Sequence, residues 1–371
     1  MSMPRIAVIG AGIVGAAVAD ALAARGARVS VYEMRAPGRG ASQASAGVLC
    51  PYTEATPGSP LLALGARSLA MWDCWVGSLC ARTTIPFHYA RTGTLEVAIS
   101  ADEAEHLRES AERLTAENVA HELVEGAALR TFEPGVSDSA NAGLFIGSHG
   151  HVHVAALVNA LMEAARQRGA TCETPQEIIH VEQKRELVQV RVGSRLDEVD
   201  HAVIAAGCWS GRVRVADVPA FAVRPIRGQL LHLKWPDAQP PRRSVWGSRC
   251  YTVPWPDGSL LVGATIEDVG FDERTTVAGV HDLLEAAGQL LPGAWQASIE
   301  SVRVGLRPAT ADHLPLLGPL ERHPRITVAA GHYRNGVLLA PYTADVVTRQ
   351  ILDDDRDPML DLTRPERPMS S

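Results

Sequence analysis

A glycine-spaced turn near the start of the chain leaves little choice of fold for what surrounds it. Residues 5–15 read Arg-Ile-Ala-Val-Ile-Gly-Ala-Gly-Ile-Val-Gly. The apolar run from Ile6 to Ile9 stops at Gly10, and Gly12 and Gly15 complete a G-x-G-x-x-G. An Ala-rich helical pattern over residues 13–25 follows at once. Strand, tight turn and helix in this order convert a common glycine spacing into a dinucleotide-binding fingerprint. Gly10 permits the turn, Gly12 has no side chain to hold a pyrophosphate off the backbone, and Gly15 lets helix and strand pack closely. The helix N-terminus then offers free N–H groups and the positive end of its dipole to phosphates. A second apolar run, residues 28–32, ends at Glu33, 18 positions after Gly15 and close to the spacing of a ribose-hydroxyl acceptor. This motif alone leaves NAD and FAD both open.

Further along, residues 34–49 form a small, Gly/Ser/Ala-rich segment that would run along such a cofactor. Amphipathic spacing predicts a helix over 61–80, with Leu62, Leu69, Trp72 and Trp75 as core positions rather than ligand contacts. Two short strands are expected within 85–99, a charged helix over 101–118 and a short helix over 125–132. His149, His151 and His153 alternate and would share one strand face. No carboxylate or cysteine stands at partner spacing, so no metal is assigned to them. A helix over 154–168 precedes strands at 170–173, 178–182 and 187–192. The buried strand at 202–207 ends, like the first, on a glycine. Ala206 and Gly207 would return the chain to the carboxyl edge of a parallel sheet, with Trp209 covering the ligand.

Residues 223–306 change character: 227–235, 245–253 and 259–265 alternate as antiparallel strands, with a hairpin turn at Pro256-Asp257-Gly258. A helix over 277–291 and a strand at 299–304 complete what reads as an inserted sheet. The last third returns to a buried strand at 326–330, a turn at 331–336 and a helix over 337–352, while 353–371 reads as a charged, Pro-rich peripheral tail.

With 371 residues, 46% hydrophobic and 21% charged, the chain can bury a sizeable core and hold two domains. A net charge of −7 without a basic stripe argues against nucleic acid. Six scattered cysteines, Cys50, Cys74, Cys80, Cys172, Cys208 and Cys250, form neither zinc spacing nor a disulfide framework. A strand entered by Arg5 leaves no room for a signal peptide, and no window is apolar enough for a membrane span, so a cytoplasmic protein with no membrane or nucleic-acid partner is expected. The oligomeric state, including a homo-oligomer, stays open.

The opening motif, Ala44-Ser45-Ala46-Gly47, Ala205-Ala206-Gly207 and Gly331-His332-Tyr333-Arg334-Asn335-Gly336 lie in the order seen in the D-amino-acid-oxidase-like flavoproteins. The chain resembles the glycine oxidase branch of that family over residues 4–352, through Cys250-Tyr251-Thr252-Val253-Pro254, Gly305-Leu306-Arg307-Pro308 and residues 332–341. The resemblance implies FAD and an α/β fold like p-hydroxybenzoate hydroxylase. A Rossmann-type FAD-binding domain (1–84, 145–222 and 305–352) would combine with an antiparallel-sheet substrate domain (85–144 and 223–304). Beyond Gly10, Gly12, Gly15 and Glu33, it implies cofactor contacts from Ile13, Val14, Met34, Ala41, Ser42, Ala46, Gly47, Val48, Ile178, Ala206, Gly207, Trp209, His332, Tyr333, Arg334, Asn335, Gly336, Val337 and Leu338. Arg307 and Tyr251 would bind a substrate carboxylate, with Arg334 as a second substrate-side arginine.

Val48 and Ile266 stand where relatives can carry Met facing the pocket, which alters its shape. Gly305 stands where the related sarcosine oxidases hold flavin through cysteine, so FAD should be non-covalent. The implied reaction is oxidation of glycine or an N-substituted glycine. A hydride passes from Cα to flavin N5, the imine hydrolyses to glyoxylate plus ammonia or amine, and O2 reoxidises the flavin to give H2O2. A helix beginning near Asn335 would stabilise negative charge on the reduced flavin. A D-amino-acid oxidase or dehydrogenase of the same superfamily is the alternative. A flavin-binding module without amine chemistry is disfavoured by Tyr251, Arg307 and Arg334 occurring together.

Overall fold

The computed structural model describes residues 3–236 and 240–369. The opening apolar run becomes the strand Arg5–Ile9 at the interior of a six-stranded sheet, in the order Leu316–Pro319, Ile326–Ala330, His201–Ile204, Arg5–Ile9, Arg28–Tyr32, Thr171–Glu173. All neighbours are parallel except Leu316–Pro319, which runs antiparallel to Ile326–Ala330. The run is apolar throughout because both faces are covered. Ile6 and Val8 pack on the helices Ile13–Ala24, Val154–Gln167 and Ala340–Asp353, whereas Ala7 and Ile9 pack on Val181, Val188 and Val190. Those three valines belong to a four-stranded sheet ordered Arg195–Val199, Leu187–Val192, Ile178–Lys184, Arg214–Val215.

The second large sheet has eight strands, ordered Ser298–Ala309, Arg224–Lys234, Ser259–Gly263, Tyr251–Pro254, Ser244–Trp246, Thr94–Ala98, Ala142–Ile146, Glu122–Glu125. It is antiparallel except where Ser244–Trp246 meets Thr94–Ala98. The helix Val277–Leu290 covers one face through Leu283, Ala286, Ala287 and Leu290. On the other face Leu230, Val253, Trp255 and Leu261 meet Ala44 and Ala46. That contact brings the second sheet against the glycine-rich segment that follows Glu33.

Several expected elements differ. Residues 245–253 are two strands, not one, because the chain turns at 247–250, where the Gly247 N–H bonds Cys250 O at 2.8 Å. The strand Ala142–Ile146 straddles the expected domain boundary at 144/145. The strand after residue 298 runs on to Ala309 and so includes Arg307. The last helix begins at Ala340 rather than 337, with Pro341, which lacks an N–H, in its first turn. Residues 335–339 form a separate turn closed by Leu339 N–H to Asn335 O at 2.8 Å. Of the three alternating histidines, His151 lies in the strand Gly150–Val152, His149 precedes it, and His153 caps the helix Val154–Gln167 by accepting the Ala156 N–H at 3.2 Å.

The tail is not peripheral. Leu360 and Thr363 are buried, Asp357 pairs with Arg67 at 2.7 Å and Arg349 at 3.2 Å, and Arg367 pairs with Asp312 at 2.8 Å. Among the described residues no helix is long and apolar enough to cross a membrane, and no three His, Cys, Asp or Glu converge as metal ligands.

One carboxylate in this frame is held against its preference for water. Glu96, on Thr94–Ala98, accepts the Thr53 hydroxyl at 2.7 Å, and burial pushes its pKa up to about 7. The folded state therefore keeps a proton that the unfolded chain releases, so stability falls as pH rises from the ordinary carboxylate range to about 7. Glu96→Gln keeps the shape and removes the charge. Denaturant titrations should find it more stable than the parent by about 2 kcal/mol at pH 8 and little changed at pH 5.

Candidate active site

The carboxyl ends of the parallel strands open into a cavity that reaches across to the second sheet. Counting its open mouth, it holds about 1520 Å³ of empty space, more than a small-molecule pocket needs and enough for a dinucleotide with a substrate.

At the parallel-sheet end the Arg5–Ile9 strand turns into its helix at the closest approach backbone allows. A Cβ on Gly15 would lie 2.0 Å from Gly10 O, and Gly10 itself has φ +103°. The helix starts on Gly12, which has no capping side chain of its own. Ser42 supplies the cap from another segment, its Oγ accepting the Ile13 N–H at 3.0 Å. Glu33 ends the next strand. Its two carboxylate oxygens accept the Ala11 and Arg35 N–H groups, both at 2.7 Å, which fixes the carboxylate at the cavity wall and leaves lone pairs for hydroxyl donors.

Arg35 pairs with Glu273 at 2.6 Å and lies over the Trp209 ring at 4.7 Å. Trp209 in turn faces Phe271 at 5.9 Å, and Arg212 lies over Phe271 at 3.9 Å. Two arginines thus flank two aromatic rings, and Arg35, Trp209 and Arg212 of this group line the cavity.

At the opposite end the second sheet presents Tyr251 and Arg307. Both need cleared space: a Cβ on Gly228 would meet the Arg307 guanidinium at 2.4 Å, and one on Gly263 would meet the Tyr251 hydroxyl at 2.5 Å. Gly228 pairs with Gly305 and Gly263 with Tyr251 in the antiparallel register, so these glycines share the face on which the two functional side chains lie. Arg307 donates to Thr265 O at 2.9 Å and Arg227 O at 3.3 Å. It has no acidic partner within 4 Å among the described residues, and burial lowers its pKa. Its neighbours differ. Arg227 pairs with Glu267 at 2.5 Å and Asp272 at 2.9 Å, and Arg334 pairs with Glu54 at 2.7 Å. Burial pushes the Tyr251 pKa up to about 12, with Arg307 and Arg334 opposing, so its hydroxyl stays a donor through the physiological range. Burial pushes His332 down to about 4, and its Nε2 meets Thr343 Oγ1 at 3.0 Å as a neutral ring.

Most of the expected site residues line this one cavity. Gly10, Gly12, Ile13, Val14, Glu33, Met34, Ala41, Ser42, Ala46, Val48, Ile178, Ala206, Gly207, Trp209, Tyr251, Arg307, His332, Tyr333, Arg334, Gly336 and Val337 all reach it. Five do not. Gly15 and Gly47 lie one layer behind, Gly47 against Val152 O. Asn335 is buried with its backbone in the 335–339 turn. Leu338 packs in the helical core, its carbonyl accepting Ser68 at 2.6 Å and Trp72 at 3.0 Å. Ile266 is 59% exposed on the segment 264–276 and is not part of the cavity lining.

Sequence reasoning missed Glu54, Arg35, Arg212 and Gly228, which also line the cavity. A glycine inside a strand pattern was a signal for Gly228. Between the segment 34–49 and the helix expected from 61, a single acid gave none for Glu54.

The glycine-rich strand-to-helix turn and the Tyr251–Arg307 pair therefore line a single cavity. The family model described as FAD dependent oxidoreductase matches residues 5–350. The chain is 33% identical to the glycine oxidase of Geobacillus kaustophilus over 352 residues, 93% of each chain. It is also 33% identical to the bifunctional protein ThiO/ThiG of Nostoc sp. over 361 residues. That match takes in 96% of this chain but 54% of the relative, so the chain spans about half that protein's length. The crystal structure of glycine oxidase from Geobacillus kaustophilus superposes with a TM-score of 0.92 at 28% identity, covering 99% of this chain and 100% of that one. With the fold, the cavity and these matches in agreement, the chain belongs to the D-amino-acid-oxidase-type family of FAD-dependent oxidoreductases.

Proposed function

We propose that the protein oxidises glycine or an N-substituted glycine to glyoxylate, with release of ammonia or the amine and with O2 as the electron acceptor. The observation that carries this reading is Arg307, a guanidinium in the cavity wall without an acidic partner among the described residues, with Tyr251 on the same sheet face. A planar guanidinium beside a hydroxyl donor matches a carboxylate, and the low local dielectric strengthens the pairing.

The cradle fits FAD. Gly12 leaves the helix N-terminus open to phosphate, Glu33 is placed for ribose hydroxyls, and Ala41, Ala46, Gly207 and Gly336 let a flat ring approach backbone. Gly305 packs within 2.8 Å of Ala44 Cβ, measured from where its own Cβ would stand, and supplies no thiol, which supports non-covalent binding. When bound, FAD supplies the two-electron acceptor that the side chains lack. The chain's own residues bind and orient. Arg307 and Tyr251 fix the carboxylate, and the Ala44, Ala46 and Val48 side chains crowd water from the Cα position. The net change is amine plus O2 plus water to glyoxylate, freed amine and peroxide. No general base is assigned, since the substrate enters with a neutral amine. The regular helix begins at Ala340, so it is the 335–339 turn, through Gly336 and Val337, that lines the cavity there.

Glyoxylate and peroxide should form together when the FAD-loaded protein meets glycine, sarcosine or longer N-alkylglycines, and their absence across that panel overturns the proposal. Turnover with a dye but not with O2 would instead select a dehydrogenase. Arg307→Met should lower kcat/KM at least about a hundredfold, since truncating one partner of a buried charged pair costs a few kcal/mol. Tyr251→Phe should cost about tenfold. The parent's kcat/KM should rise with pH as the amine loses its proton, with no opposing loss from Tyr251 in the physiological range, because its hydroxyl is pushed up to about 12. Ser42→Ala removes the cap beneath the phosphates. Flavin-fluorescence titration of apoprotein should find FAD bound about five- to tenfold more weakly.

A further inference from the structure

Glu54 stands at the substrate end of the cavity on the short helix Pro51–Glu54. Its side chain is 7% exposed and its carboxylate lies 2.7 Å from the Arg334 guanidinium. The helix is tied to the second sheet through Thr53, whose hydroxyl bonds Glu96. Arg334 and Arg307 both line this cavity, as does Glu54. Two bare guanidiniums so placed would grip a ligand with two carboxylates, one fork for each. Glu54 already engages one of them, accepting from Arg334 Nη2 at 2.7 Å.

Resting on the reading of this cavity as an amino-acid pocket, we propose that Glu54 is the charge-selecting residue. By neutralising Arg334 it leaves Arg307 to receive a single carboxylate, so the site takes monocarboxylate amines and rejects dicarboxylates. A second ligand carboxylate must either displace Glu54, stranding a buried anion, or lie beside it as a like charge. A hydrogen or alkyl substituent on the amine meets neither obstacle.

The test is equilibrium binding to the FAD-loaded protein, read from the flavin absorption spectrum, with glycolate as the monocarboxylate and malonate as the dicarboxylate. The parent should prefer glycolate. Glu54→Gln should shift the ratio of dissociation constants toward malonate by at least about tenfold, the size of one charged contact. Glu54→Asp, which keeps the charge, should restore the parent's preference. Arg334→Gln with Glu54 retained should deepen the rejection of malonate, and this arm decides if Glu54→Gln does not hold FAD. A ratio that moves less than about twofold, a parent that already prefers malonate, or no spectral response to either ligand overturns the proposal. Because no turnover is required, inability to oxidise any amine would sink the amine-oxidase reading separately from this one.

Discussion

The constraint on which the substrate side of this protein depends is a guanidinium kept in a cavity wall without an acid to neutralise it. Such a group is costly, and the surrounding sheet is arranged to hold it. Backbone carbonyls of Thr265 and Arg227 take two of its hydrogen bonds, and Gly228 clears the space it fills. The neighbouring Arg227, one register position away, is spent on Glu267 and Asp272 and cannot substitute for it. On the proposed reading, a carboxylate is the ligand that would remove most of the electrostatic penalty at Arg307.

The cofactor side rests on geometry rather than charge. Gly15 above the Gly10 carbonyl lets strand and helix meet, and the open N-terminus of that helix follows from the contact. Ser42 and Glu33 then satisfy backbone donors at the rim, at Ile13, Ala11 and Arg35. The cradle is rigid because its polar groups are already partnered through the backbone.

The parallel sheet and its cradle were legible because period and turn chemistry are local. An apolar run ending on glycine, a helix and an acid can be read without knowing what lies across the sheet. Arg307 and Tyr251 came from motif resemblance, since nothing in the spacing of two strand residues 56 positions apart states that they share a face. Glu54 was invisible because its role depends on meeting Arg334, 280 positions away. Ile266 lies outside the cavity lining for a related reason: the strand before it ends at Gly263, and past that point side-chain alternation no longer says which residue faces inward. The tail was misjudged on composition, because Leu360, Thr363 and Arg367 find partners that a charge count cannot reveal.

The parallel sheet also fixes the order of events during synthesis. Arg5–Ile9 pairs on one side with Arg28–Tyr32, which leaves the ribosome soon after it, but on the other with His201–Ile204, which in turn needs Ile326–Ala330. At roughly 5–20 residues per second, the first strand waits some tens of seconds for its full set of neighbours. During that interval it carries an apolar, unpaired edge of the kind that seeds aggregation. The strand that founds the cofactor cradle is thus the first one made and among the last to gain its full set of neighbours.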